Sequence, residues 1–202
     1  MSAEPLSTRI FDVTVAVLLL VVFSPVLLLV ALLIKLGSAG PVLFRQTRIG
    51  YGNRPFNFYK LRTMKKGAEN EEGVPQRVND IASFVFNPPK RDPRVTPIGR
   101  VLRTTSMDEW PNFLNVVKGD MRLVGPRPDE PHLVAQYLPL YHLRHFVKPG
   151  ITGLAQVNGR SNLTYHEMMK YDLDYVKRHS FRRDLAILAR TILVVAKREG
   201  AR

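Results

Sequence analysis

A chain of 202 residues, 45% of them hydrophobic, is long enough for one domain of ordinary size plus an appendage and too apolar to be disordered by composition. Its 30 Lys+Arg against 17 Asp+Glu give a formal charge of +13, which selects for a polyanionic partner: nucleic acid, an anionic membrane surface or a phosphorylated substrate. There are no cysteines, so disulfides and thiolate metal sites are excluded.

The first element in chain order chooses among those partners. Val13 to Ile34, VTVAVLLLVVFSPVLLLVALLI, runs without a charge for the length that enters or crosses a hydrocarbon core. Its Val, Leu, Ile and Phe residues, at roughly −0.3 to −0.6 kcal/mol each, favour insertion by about 5 to 10 kcal/mol. That outweighs the roughly 3 kcal/mol of a proline inside a helix. A cleavable signal peptide would carry a shorter apolar run, and a soluble core helix would show a polar stripe at period 3.6.

Ser24 and Pro25 stand in the middle of this run. Pro25 removes a backbone donor and bends the helix, and the Ser24 hydroxyl could satisfy a carbonyl freed nearby. Each half is roughly 18 Å long, enough to reach about half way through a hydrocarbon core of about 30 Å. Two shapes fit: a kinked spanning helix, or a helical hairpin entering and leaving by the same face. Lys35, Arg45, Arg48, Arg54 and Lys60 put the downstream flank on the cytoplasmic side by the positive-inside tendency.

After the linker Gly37 to Pro41, alternation over Val42–Gln46 and Phe56–Leu61, with Gly50 and Gly52-Asn53 between, predicts a β-hairpin. Lys60-Leu61-Arg62 closes it with two cations. Residues 65–94 read as an irregular surface loop. From Pro97 the spacing of Ile98, Val101 and Leu102 predicts a helix, and Ser106 or Asp108 is placed to cap another that runs through Trp110, Phe113, Leu114 and Val117 to Gly119.

The stretch Arg100 to Pro128 holds the densest chemistry. Adjacent carboxylates at Asp108 and Glu109 are surrounded in sequence by Arg100, Arg103, Lys118, Asp120, Arg122 and Arg127. Cations around a small acidic centre suit a phosphorylated ligand, with a carboxylate free to attack phosphorus or hold a metal. The pair alone reads more readily as a cap that starts a helix; its company, Arg103 upstream and the Arg127 turn downstream, argues for a ligand. In Gly125-Pro126-Arg127-Pro128 the two prolines fix the backbone around Arg127 and present a planar guanidinium suited to a diphosphate or a base edge.

His142 and His145, three apart on a predicted helix, are spaced to share a metal, but Tyr141, Arg144 and Lys148 around them describe a solvated basic face. Lys148 to Gln156 is a turn-rich connection leading to Asn158-Gly159-Arg160, in which Gln156 and Arg160 could face ligand. Thr164–Arg178 and Phe181–Arg198 complete the chain as helices, the last amphipathic, with Leu185, Leu188, Ile192 and Val195 on one face. The sum is an α+β chain, mainly helical, with an expected membrane anchor at 1–40 and a cytoplasmic domain at 41–202.

These motifs together resemble the bacterial sugar transferase family of monotopic phosphoglycosyl transferases, and look like its small members that hold little beyond the catalytic unit. The resemblance runs from about Arg9 to Arg198. It rests on Arg9-Ile10-Phe11-Asp12, Ser24-Pro25, YKLRTM at 59–64, DPRVTPIGRVLR at 92–103, SMDEWPNFLNVVKGDMRLVGPRP at 106–128 and KPGITGLAQVNGR at 148–160. It implies transfer of a sugar 1-phosphate from a UDP-sugar to undecaprenyl or another polyprenyl phosphate, with release of UMP and a need for Mg²⁺. It further implies that Asp108 is the nucleophile of a covalent phosphosugar intermediate and a Mg²⁺ contact, and that Glu109 assists. Arg103, Arg127 and Lys60 match phosphate, nucleotide and active-site positions, and Gln156 and Arg160 match more loosely. The Ser-Pro break implies a re-entrant hairpin in the bacterial inner membrane, with the domain on the cytoplasmic face and no nucleic acid partner. Trp110 and Met107 depart from the leucines common beside the acidic pair. A membrane-anchored basic binding module without catalysis is the competing reading.

Overall fold

Residues Leu6–Gly37 form a single helix, α1, of 32 residues in the computed structural model, which describes residues 4–68, 78–85, 92–159 and 162–197. The expected interruption at Ser24-Pro25 is absent as a break in helical structure. Pro25 has no amide to give the Val21 carbonyl four residues back, and the Ser24 hydroxyl donates to that same carbonyl at 2.8 Å. The substitution of one donor for another carries the helix through the proline. Only 11% of the most apolar window of α1 is buried, with Leu18, Val21, Leu28, Leu29 and Leu32 exposed. The helix is therefore long and apolar enough to cross a membrane, and it is not the covered core helix of a soluble protein.

The buried minority of α1 is what positions the rest. Ala16 enters the main core with Phe58, Phe113, Val116, Met121, Leu123, Val124, Val157, Tyr175 and Ile187. Val30 and Ile34 pack on Leu61 and Leu102 in a second cluster near the other end. Both ends are also fixed by hydrogen bonds. Arg9 donates to the carbonyls of Val116 and Val117. At the far end, Arg62 donates to the carbonyls of Ile34, Ser38 and Pro41 at 3.2, 2.7 and 2.6 Å, satisfying groups that a helix C-terminus leaves open.

The predicted hairpin is present as β1 (Leu43–Ile49) and β2 (Pro55–Leu61), antiparallel, registered from Leu43 opposite Leu61 to Ile49 opposite Pro55. Its loop turns through Gly52 and Asn53, both with positive φ, which a glycine and an asparagine tolerate best. A helix follows where the apolar spacing places it, α2 (Pro97–Thr105), capped by the Thr96 hydroxyl on the Gly99 amide. Gly99 lies so close to the Thr63 carbonyl that a Cβ would collide with it. Of the predicted loop 65–94, residues 69–77 and 86–91 lie outside the described residues; Ile81 is buried with Tyr137, Tyr141, Tyr165 and Met169.

The helix expected from Ser106 to Val117 is two elements, a 3-10 segment Met107–Asn112 and a short helix α3 (Phe113–Lys118) closed by Gly119 at φ 96°. Pro111 lies within the 3-10 segment, two residues before α3, and has no amide to give an α-helical bond. Two three-residue strands then pair in parallel, β3 (Arg122–Val124) with β4 (Gly150–Thr152). Between them lie a single-turn helix α4 (Pro131–Val134) and a 3-10 segment Pro139–Phe146, where a helix carrying His142 and His145 is predicted. Helix α5 (Tyr165–Arg178) starts with a capping box between Thr164 and Glu167, and α6 (Phe181–Ala196) with Ser180 on the Arg183 amide. The Phe181 ring meets Phe11 edge-on at 5.2 Å, so α6 rests against α1.

Candidate active site

The acidic pair owes its position to a strained start. Ser106 adopts the left-handed conformation, φ 57°, ending α2 and opening the 3-10 segment in one residue. It occupies the cap position without a side-chain cap bond, and Asp108 lies inside the first turn, so neither residue caps the helix. What holds the segment is a pair of buried asparagines. Asn112 accepts from the Tyr59 amide at 2.8 Å and donates to the Tyr59 carbonyl at 2.6 Å, reading β2 as another strand would. Asn115 donates to the Asn57 carbonyl at 2.9 Å and to Asn112. Both escaped the functional reading of the sequence. Two asparagines three apart among Phe113, Leu114 and Val116 are the signal, because buried amides need partners.

On that footing the two carboxylates have opposite fates. Glu109 is gripped: Lys60 lies 3.0 Å from Oε1, and Arg127 makes a two-pronged contact, with Nη1 on Oε2 at 2.8 Å. Burial pushes the Glu109 carboxyl up, but Arg127 and Lys60 outweigh it and hold it well below the usual carboxylate range. Asp108 is 8% exposed and has no hydrogen bond or ion pair among the described residues. Burial, and then the neighbouring Glu109 charge, raise its carboxyl from 3.8 to about 6; the charges of Lys60, Arg127 and Arg103 oppose the rise. A buried carboxylate left unpaired beside three cations is available to an incoming electrophile that carries negative charge.

The remaining predicted residues divide. Arg103, in the last turn of α2, donates to the Thr63 hydroxyl at 3.0 Å and faces this centre. Gln156 lies at the root of the Arg127 turn, where a Cβ on Gly153 would strike both the Gly125 carbonyl and the Gln156 amide. Both amide atoms of Gln156 are buried and unpaired among the described residues, which leaves recognition capacity unused. Arg160 lies outside the described residues.

Other members of the expected basic ring do different work. Arg122 is buried between Asp12 at 2.9 Å, Asp184 at 2.7 Å and Glu4 at 3.2 Å, tying α1, β3 and α6 together instead of facing an anion. Lys118 donates to the Tyr59 hydroxyl, and Arg100 is exposed. His145 is buried, not on a solvated face, and both it and His142 contact the Asn53 amide oxygen.

Among the described residues no group of three or more His, Cys, Asp or Glu side chains could hold a metal without help. One or two carboxylates with substrate phosphates completing the shell is nevertheless the ordinary manner of holding Mg²⁺. Asp108, unpaired and hard, fits that manner; Glu109, occupied by two cations, fits it poorly.

The family model for bacterial sugar transferase matches residues 3–198. Among curated proteins, the chain is 46% identical over 198 residues to a UDP-glucose:undecaprenyl-phosphate glucose-1-phosphate transferase of Caulobacter vibrioides, covering 94% of this chain and 70% of that one. It is 43% identical over 195 residues to an Escherichia coli protein of the same description, covering 91% of this chain and 39% of that one. A UDP-N-acetylgalactosamine-undecaprenyl-phosphate N-acetylgalactosaminephosphotransferase of Aeromonas hydrophila is 40% identical over 200 residues, covering 96% and 44% respectively. The chain thus spans under half the length of two of these three relatives.

Proposed function

Because this chain belongs to the bacterial sugar transferase family, we propose that it transfers a sugar 1-phosphate from a UDP-sugar to undecaprenyl or a related polyprenyl phosphate, releasing UMP, at the membrane step that starts a polysaccharide or glycoconjugate. The observation that carries the reading is the unequal treatment of the pair: Glu109 locked by Lys60 and Arg127, Asp108 buried beside it and unpaired.

In this reading an Asp108 carboxylate oxygen attacks the β-phosphorus of the donor. The bond from that phosphorus to the bridging oxygen breaks, and UMP leaves with the electron pair. A phosphate oxygen of the polyprenyl acceptor then attacks the same phosphorus, forming the polyprenyl diphosphosugar and returning Asp108 as carboxylate. Lys60, Arg103 and Arg127 neutralise the phosphoryl oxygens, on which charge gathers in both steps. Gln156 and Arg160 contribute to holding the nucleotide. Asp108, together with substrate phosphates, would hold Mg²⁺, which would supply further neutralisation of phosphate charge.

A lipid phosphate stays at the interface, so the centre must stand there too. Both ends of α1, at Arg9 and at Ile34 to Ser38, are bonded to one and the same domain, and a domain occupies one side of a membrane. This supports an anchor over residues 1–40 that does not cross the bacterial inner membrane, with residues 41–202 on the cytoplasmic face; because α1 is continuous, a re-entrant path would be made by bending at Pro25 and not by a break in helical bonding. A Leu6→Cys variant, in a chain with no native cysteine, should resist impermeant thiol reagents applied to intact cells.

The activity test uses membranes containing the protein, polyprenyl phosphate, Mg²⁺ and a panel of UDP-sugars that includes UDP-glucose and UDP-N-acetylgalactosamine. UMP should appear with at least one donor, only with acceptor and Mg²⁺ present, and Asp108→Asn should abolish it. UMP release unchanged by Asp108→Asn would sink the mechanism, and binding without turnover would establish a non-catalytic module.

A further inference from the structure

The turn that presents Arg127 is pinned at four successive carbonyls. That of Pro126 accepts from the Gly150 amide at 3.0 Å, that of Arg127 from Arg144 at 2.6 Å, that of Pro128 from Arg48 at 3.2 Å and that of Asp129 from the Ile49 amide at 2.9 Å. Two of the four donors are backbone amides of the strand framework. Arg48 also leans on Glu130 at 3.1 Å and on Gln46. Arg144 is the one that reaches the carbonyl of Arg127 itself.

Arg144 is 1% exposed, behind the Arg127 turn. Its two terminal nitrogens are held by acidic partners, while Nε has no hydrogen-bond partner among the described residues. The Asp129 carboxylate accepts from Arg144 and from the Tyr137 and Tyr165 hydroxyls, and Asp172 lies 2.7 Å from Nη2. The Tyr137 hydroxyl also contacts Nη1 at 2.6 Å. Buried ion pairs are poor sources of stability, because apolar side chains of the same volume often serve as well. What this cluster provides that an apolar one cannot is a rigid fork aimed at one chosen carbonyl.

We propose that Arg144, held by Asp129 and Asp172, is a positioning residue that sets the direction of the Arg127 guanidinium, and through it the grip on Glu109, without touching substrate. The inference rests on the catalytic reading above. It adds a requirement that reading does not contain: the effect of Arg144 must pass through Arg127.

The experiment is a double-mutant cycle on the purified full-length protein in detergent or nanodiscs, following UMP release with whichever UDP-sugar supports wild-type turnover. Arg144→Lys keeps the charge and loses the fork. It should lower kcat/KM by about tenfold to a hundredfold, the range expected when a binding group is misplaced by about an ångström. In an Arg127→Ala background the same change should cost less than about twofold. Met169→Ala, in the apolar cluster beside Tyr165, is the stability control: at an equal drop in melting temperature it should retain more activity than Arg144→Lys.

Should Arg144→Lys fail to fold, Tyr165→Phe removes only one donor from Asp129; a smaller loss is expected, again absent without Arg127. Equal fold losses with and without Arg127, or a matching loss in Met169→Ala, would overturn the proposal. Absence of wild-type turnover with any donor would overturn the catalytic reading separately, and the coupling would then be read from UDP binding to the same set of variants.

Discussion

Replacing Asp108 by asparagine should abolish turnover and yet make the protein more stable at neutral pH. The Asp108 carboxyl is pushed from 3.8 to about 6 by burial and by Glu109, so its ionised form is disfavoured in the folded chain. That displacement corresponds to about 3 kcal/mol of destabilisation when the group is ionised in both folded and unfolded states, which holds above about pH 6. As pH falls from 6 towards 3.8, the folded chain takes up its proton first and the penalty disappears. Asparagine carries no charge at any pH and removes the penalty outright. The gain should therefore approach 3 kcal/mol at pH 8, fall to about half by pH 5 and vanish below about pH 3. For a chain of this size it should appear as a rise of about 5 to 10 °C in melting temperature at pH 8. Trp110 makes the assay direct, since it is the only tryptophan and its ring stacks on Phe23 at 4.1 Å, two residues from the substitution. A lower melting temperature for Asp108→Asn, or a gain of the same size at pH 5 and pH 8, would refute the assignment of Asp108 as a carboxylate held against its electrostatic preference.

The same titration predicts that kcat/KM for UMP release falls about tenfold per pH unit below about pH 6. In Glu109→Gln that acid limb should move to lower pH, because a raising charge is gone and two cations are released; a rate profile recorded on the residual activity decides it. Ser24→Ala should destabilise α1 by about 1 to 3 kcal/mol, but by almost nothing in a Pro25→Ala background where residue 25 regains an amide for the Val21 carbonyl; denaturation of all four proteins in one detergent measures the difference. Asn112→Ala should cost about 2 to 5 kcal/mol by stranding the Tyr59 amide and carbonyl, read as a lower melting temperature with loss of activity out of proportion to that of a surface alanine.

What the sequence discloses here depends on how local the cause is. The β1–β2 hairpin follows from alternating apolar residues and a glycine turn, and α5 and α6 from the Thr164 and Ser180 caps and an apolar period of 3.6, all within a few residues of each element. The pairing of β3 with β4 has no such signature. Three residues per strand give no alternation to read, and the close approach of Gly125 and Gly150 that permits the pairing involves positions twenty-five apart. The site divides in the same manner. Asp108 and Glu109 announce themselves as adjacent carboxylates, but which of them is locked depends on Lys60 arriving from β2. Arg122, grouped by sequence with the cations of the site, serves Asp12 and Asp184 because the fold turns β3 inward at that point. Residue type told what Arg122 could do; only the neighbours told what it does.

The ends of α1 are fastened by Arg62, by the carbonyls of Val116 and Val117, and by an ion cluster that is complete only with Asp184. A ribosome makes these groups in that order, all of them after α1 itself. Helix α1 is therefore made before any of its fastenings, and the set is complete only once α6 is present. Any truncation before α6 leaves Arg122 with Asp12 but without Asp184, so α6 supplies one of the fastenings that hold α1 in place.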